Sequence, residues 1–227
     1  RLCSESGLDS ATIEATVLHA LRGQALAGLN RNDEADAAFD IALNSDQLAT
    51  LPATQQHQLL CSYGFAVSAR RPGDAERAFA RIPSDDPKYP EALYGRGLLA
   101  ANANRLERAA ELFGLALDQR PNFGEARRFR AILLARLNRF TEAIAEINAA
   151  LQAAPNSGAT LYAAACVTAL AAEQAPTPAA ARQAADEAMR FLKQALARGY
   201  GNHAATDDDL KAIRQHPEFD QQLFKKP

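Results

Sequence analysis

Apolar positions along the chain recur at helical spacing. In "PEALYGRGLLAANAN" (90–104), Leu93, Gly97, Leu98 and Ala101 fall on one face of a helix. In "RLERAAELFGLALDQRP" (105–121), Leu106, Ala109, Ala110, Phe113, Ala116 and Leu117 form a second stripe. Pro121 lacks an N–H and cannot continue that helix. Neither helix can bury its stripe alone. The pattern predicts hairpins that stack on one another and share a continuous core.

The hairpin recurs. Ala75 with Phe79, Ala109 with Phe113 and Ala143 with Ile147 are the same pair at steps of 34 residues. Arg71, Arg105 and Arg139 keep that step, as do Pro121 and Pro155. Ala35 and Phe39 stand 40 residues before Ala75 and Phe79. The extra residues fall in "NSDQLATLPA", which reads as a polar, proline-containing loop. A longer phrase returns as "RGQALAGLNR", "RGLLAANANR" and "RAILLARLNR", with two arginines nine residues apart and Gly or Ala after the first. Its recurrence is architectural: the small residue lets two helices close, and the second arginine marks the turn between them.

A two-helix period of 34 residues resembles the tetratricopeptide repeat. In that family the first helix carries a large apolar residue at position 4 and a small one at 8. The second carries Ala at 20, a large apolar residue at 24, Ala at 27 and Pro at 32. The third unit supplies Leu93, Gly97, Ala109, Phe113, Ala116 and Pro121. The fourth supplies Ala131, Ala143, Ile147, Ala150 and Pro155, with Arg127 in the large-apolar place. The first supplies Gly23, Ala35, Phe39 and Ala42, with His19 at position 4; the second supplies Gly64, Ala75 and Phe79, with one residue fewer between its helices. A fifth, altered unit has Leu161, Ala165, Ala188, Leu192 and Ala195, and its connection is lengthened by 11 residues. Pro176 and Pro178 make that connection begin as a loop, and its remainder is free to extend the second helix. The end resembles the terminal cap of bacterial tetratricopeptide proteins through Ala164, Ala165, Cys166, Asp209, Leu210, Ile213, Arg214, Pro217 and Phe219.

The resemblance implies an all-α, right-handed α-solenoid of about five helix-turn-helix repeats with C-terminal capping helices. The expected organisation is a lead-in at 1–11, repeats at 12–46, 54–86, 88–121, 122–155 and 156–198, and a cap at 199–227.

Composition agrees with helix: the chain is rich in Ala and has no Trp. A net charge of −2 gives no general pull toward nucleic acid. Cys3, Cys61 and Cys166 form no CxxC, which suggests a reducing compartment and a cytoplasmic setting. No apolar run suffices to span a membrane, and the start at Arg1 reads as a fragment of a longer protein.

No phosphate loop, HExxH, GxSxG or kinase-loop motif occurs, and His19, His57, His203 and His216 lack metal-ligand spacing. No catalytic residue, metal or cofactor is therefore expected. "TDDDL" (206–210) reads as a helix start capped by Thr206, with an acidic first turn, rather than as a cation site. Cys166 reads as a small packing residue.

In the family, first helices line a concave face through positions 2, 5, 9, 12 and 13. Carried over, these give Gln24, Phe65, Glu91, Tyr94, Leu98, Asn102, Glu125, Arg128, Ile132, Arg136, Tyr162 and Cys166. Such a mix suits a protein or peptide segment. Tyr94, Leu98 and Phe129 stand where a clamp for a chaperone C-terminal carboxylate would need polar residues, so that ligand is not expected. The helix "RRFRAILLAR" (127–136) leaves two readings open. It is an anion-binding patch for an acidic or phosphorylated partner, or a salt-bridged helix near Glu91, Glu125 and Glu142. The expected function is a noncatalytic scaffold. The rival is a regulatory or oligomerisation domain ending a larger bacterial enzyme such as a Ser/Thr kinase. The oligomeric state stays open, with "FDQQLFKKP" (219–227) a candidate occupant of another copy's groove.

Overall fold

A computed structural model describes residues 10–44, 48–86 and 89–219. Among these residues there are ten α-helices, two short 3-10 segments and no strand. The helices are α1 (Ser10–Gly28), α2 (Asn32–Asn44), α3 (Ala53–Val67), α4 (Pro72–Ala80), α5 (Pro90–Asn102), α6 (Leu106–Gln119), α7 (Gly124–Arg136), α8 (Phe140–Ala153), α9 (Gly158–Glu173) and α10 (Pro178–Ala197). The chain is a helical-repeat solenoid in fold, and it divides into two compact units between Leu99 and Ala100.

In the first unit, second-helix aromatics are locked against first-helix glycines. Phe39 and Phe79 are wholly buried. A Cβ on Gly23 would stand 2.9 Å from Phe39 Cδ2, and one on Gly64 would stand 2.6 Å from Phe79 Cε1. A Cβ on Gly95, in the next hairpin, would overlap the Cζ of the same Phe79 ring. The ring therefore ties α4 to both α3 and α5. Tyr63 meets Phe39 edge-on with centroids 5.3 Å apart, and Phe65 meets Phe79 likewise at 5.0 Å.

The turns explain the recurring phrase. Asn30, Asn104 and Asn138 have φ of 59°, 55° and 58°. Asn is the non-glycine residue best suited to this left-handed conformation. The following arginine donates its backbone N–H across the turn: Arg31 to the Leu26 carbonyl at 2.9 Å, Arg105 to Ala100 at 2.9 Å and Arg139 to Leu134 at 2.8 Å. Each is a Schellman closure of the first helix. The side chains of Arg31 and Arg139 then hold Glu34 and Glu142, each at 2.6 Å. The α3–α4 turn is tighter. Arg71 N–H bonds the Val67 carbonyl at 2.7 Å, no residue there has positive φ, and Pro72 opens α4.

The segment before α3 is not the polar loop expected. Leu48 and Leu51 are buried in a cluster with Ala20, Ala42 and Leu59, because a connection lengthened by insertion still crosses an apolar seam. In the second unit, Phe113 is wholly buried and stacks on Phe129 at 5.9 Å. Arg127 is accommodated at its apolar position by charge. It donates to Glu146 and to the Pro121 carbonyl, both at 2.7 Å. After α9 the chain loops only over 174–177. Thr177 then accepts from the Ala180 N–H at 3.2 Å, and Pro178 begins the 20-residue α10.

Gly95→Ala forces an added methyl into the Phe79 ring and should lower stability by about 1–3 kcal/mol. Phe79→Leu in the same chain should recover part of that loss, a coupling that urea denaturation of the four-member cycle reads directly.

Candidate ligand-binding faces

In the first unit, the outward faces of α1, α3 and the start of α5 enclose an open cleft of about 720 Å³. Gln24, Ala27 and Gly28 come from α1; Gln58, Cys61, Ser62, Phe65 and Ala66 from α3; Tyr89 and Glu91 from the start of α5 and the residue before it. Gln58, Cys61, Ser62 and Phe65 share one face because residues three and four apart are neighbours on a helix. A narrower extension of about 160 Å³ shares Gln24, Gln58 and Ser62 and adds Val17, Leu21 and Gln55.

The cleft rests on fixed supports. Phe65 presents one edge to Phe79 and lies 6.3 Å from Tyr94. Tyr89 donates its hydroxyl to the Thr54 carbonyl, and its ring meets His57 edge-on at 5.2 Å. His57 Nδ1 lies 2.9 Å from Asp86. Burial, and then the nearby Glu91 carboxylate, push the Cys61 thiol up to about 12. It is a neutral thiol at physiological pH, and a nucleophile needs the thiolate.

In the second unit the segment after α10 covers the α9 face at Tyr162 and Cys166 and pairs with Arg136 at the end of α7. Arg136 makes a two-pronged ion pair with Asp209, Nε to Oδ1 and Nη2 to Oδ2, both at 2.8 Å. Tyr162 donates its hydroxyl to Asp207 at 2.5 Å, and Arg214 donates to the Asp207 carbonyl at 2.8 Å. Leu210 and Ile213 are wholly buried in the cluster that contains Leu161, Tyr162, Cys166 and Leu192. Burial and the bond to Asp207 hold the Tyr162 hydroxyl protonated, burial raises the Cys166 thiol, and Asp209 raises the Arg136 guanidinium.

The acidic triplet therefore has three separate tasks. Asp207 caps a six-residue 3-10 segment, Asp208–Ile213, by accepting from the Asp209 N–H at 3.1 Å. This corrects the expected cap, an α-helix started by Thr206, whose hydroxyl instead donates to the His203 carbonyl. Bonds to Tyr162 and Asp209 fix Asp207 at the start. Asp209 faces inward to Arg136, and Asp208 lies outside, 3.4 Å from Arg214. Among the described residues, no three His, Cys, Asp or Glu side chains are grouped to hold a metal ion. No helix among them is long and apolar enough to cross a membrane.

Two family models, both described as tetratricopeptide repeat, match residues 66–122 and 98–166. The chain is a tetratricopeptide-repeat protein. It is similar in fold to MamA of strain AMB-1, with a TM-score of 0.55 and 21% identity over 84% of this chain and 96% of that one. MamA of strain MSR-1 gives 0.55 and 20% over 79% and 94%. YrrB, described as a TPR protein with an unusual peptide-binding site, gives 0.60 and 17% over 86% and 99%. No curated protein matches the chain.

The tetratricopeptide register places the expected face residues in different settings. Gln24 and Phe65 line the first-unit cleft; Tyr94 and Leu98 are half-buried outside its lining. Asn102 is exposed, Ile132 is half-buried between two core clusters, and Arg128 is half-buried with Glu125 at 3.7 Å. Tyr162 and Cys166 lie beneath the terminal segment, which Arg136 anchors. Arg127 and Arg130 both pair with Glu146, a carboxylate that the sequence reading did not name. That reading also passed over Gln58 and Cys61, which occupy positions 2 and 5 of the second repeat. Counting back from Gly64 at position 8 would have found them. Cys3 and residues 220–227, which include most of the proposed groove-occupying tail, lie outside the described residues.

Asp209→Ala leaves the Arg136 guanidinium without its carboxylate and should cost about 1–3 kcal/mol. The loss should be local. Hydrogen exchange is expected to accelerate across 204–214 and leave α3 and α4 unchanged.

Proposed function

We propose that the chain is a noncatalytic scaffold that holds a protein or peptide segment against the first helices of its repeats. The first-unit cleft carries this reading. It is built from first helices, is supported by buried second-helix aromatics, and falls within the size range of sites that enclose a ligand. Its lining combines two aromatic side chains, Phe65 and Tyr89, with small residues, uncharged amides and the Glu91 carboxylate, which suits contact with a chain segment better than bond-making. Its single thiol is held neutral. The peptide-binding site named for YrrB supports the same class of ligand.

For an acidic partner, Arg128 is the cation of α7 that the reading assigns. Arg127 and Arg130 share Glu146, and Arg136 is committed to Asp209. Arg128→Glu is the charge test there, because reversing Arg136 also breaks the terminal pair.

A benzophenone amino acid placed at Ser62 should crosslink to an identifiable protein partner, whereas one at exposed Arg190 on α10 should not. Phe65→Ala should weaken that partner's binding about tenfold, the size expected for an aromatic contact. Circular dichroism would verify that the variant remains folded. Equal crosslinking from both positions, or none from Ser62, would count against the reading.

A further inference from the structure

We infer that α7 and α9 of the second unit form a binding face for an acidic, aliphatic segment of a partner protein, closed in this structure by residues 204–214 of the chain itself. No residue of the first-unit cleft takes part, so this face and the scaffold reading can fail separately.

The segment docks as a ligand does. Asp209 reaches Arg136 with both oxygens at 2.8 Å, and Asp207 takes the Tyr162 hydroxyl at 2.5 Å. Leu210 and Ile213 fill the apolar surface beside them and are wholly buried. A two-pronged ion pair at a fixed spacing from aliphatic anchors suits recognition of a short acidic segment. The segment also holds its own shape. The Asp209 N–H donates to the Asp207 side chain, and Arg214 Nη2 donates to the Asp207 carbonyl. The Asp208 side chain is 97% exposed, so the pattern that the face reads is Asp209 and Leu210 with Ile213, not the acidic triplet as a whole.

The charge that balances the face belongs to its occupant. The carboxylates that raise the Arg136 guanidinium are Asp209 and then Asp207, both in the segment. With the segment lifted, the face presents that guanidinium, the Tyr162 hydroxyl and the apolar side chains that Leu210 and Ile213 cover. Two features allow it to lift. It joins α10 through Gly199 and Gly201, with φ of 73° and 103°, a joint whose backbone is freer than that of other residues. Beyond it, His216 bonds Asp186 at 2.8 Å and Lys193 pairs with Glu218 at 2.7 Å, both exposed contacts of a kind that contributes little. A tethered occupant acts at an effective concentration of about millimolar, so a free segment at micromolar concentration meets a mostly closed face. Loosening the tethered copy uncovers it.

The test uses the full chain and, as probe, a fluorescein-labelled peptide of residues 204–216, AATDDDLKAIRQH. Anisotropy reads affinity and NMR shift mapping reads location. The Asp209→Ala chain should bind the peptide at α7 and α9 about tenfold more tightly than the unaltered chain does. On that opened chain, the peptide carrying Asp209→Asn should bind about tenfold more weakly than the parent peptide. The peptide carrying Asp208→Asn should match the parent. Adding Arg136→Gln to the opened chain should bring the parent and Asp209→Asn peptides together. Asp207→Asn loosens the same segment and is the second opening variant should Asp209→Ala unfold the end of the array. Equal binding to opened and unaltered chains, shifts mapped elsewhere, or equal losses from Asp208→Asn and Asp209→Asn overturns the partner face. No binding to either opened chain also overturns it, and dimerisation of that chain would assign the face to the segment of a second copy. Crosslinking at Ser62 reads the first-unit cleft separately and decides the scaffold reading whatever the peptides do.

Discussion

A buried phenyl ring that touches a helix backbone needs a missing side chain opposite it. Phe79 meets that condition twice, against Gly64 within its own hairpin and against Gly95 in the next. The hydrophobic gain from burying one such ring is about 2–3 kcal/mol, but the geometric effect is larger. Any Cβ at either glycine would push a helix away from α4. With both absent, α3 and α5 close on a shared ring, and α3 turns its other face outward with Phe65 still touching Phe79. The cleft wall is thus the reverse side of the core contact, and its position follows from ring size and two absent methyl groups.

The second unit reaches closure by charge. Its fourth repeat places Arg127 where others have an apolar residue, and the structure answers with Glu146, shared between Arg127 and Arg130. The stem of Arg127 can still cover apolar surface while its head is neutralised. At the end of the array, Leu210 and Ile213 supply the apolar cover, and the Arg136–Asp209 pair sets its orientation. An arginine-rich helix that looks like a bare cationic patch in one dimension is largely an internal network in three.

The repeat was legible because it rests on residues whose spacing is rigid. Gly23, Gly64, Phe39 and Phe79 sit where a 3.6-residue period and a fixed hairpin length put them, so counting recovered their partners. The asparagines were missed for the opposite reason. Their role depends on one backbone angle, and arginine, the louder residue in the phrase, supplies only an N–H to the same turn. The candidate site was half-legible. Gln24 and Phe65 followed from register, but Tyr162 and Cys166 were expected on an open face because nothing local says that a segment some 45 residues later lies over them. Asp209 shows the same limit. Beside Asp207 and Asp208 it looks like one of three equivalent surface acids, and only a contact 73 residues away distinguishes it.

That separation has a consequence for assembly. Most contacts in a helical array join neighbours, and such local closures form fast and in many orders. The Arg136–Asp209 pair spans 73 residues, and a loop of that length is entropically costly to close from an unfolded chain. Once α8, α9 and α10 have stacked, the two ends already stand close and little freedom is left to lose. The pair therefore forms late, after the helices between its ends are in place. It acts as a completion mark: an end that has not stacked correctly leaves a guanidinium and a carboxylate without each other.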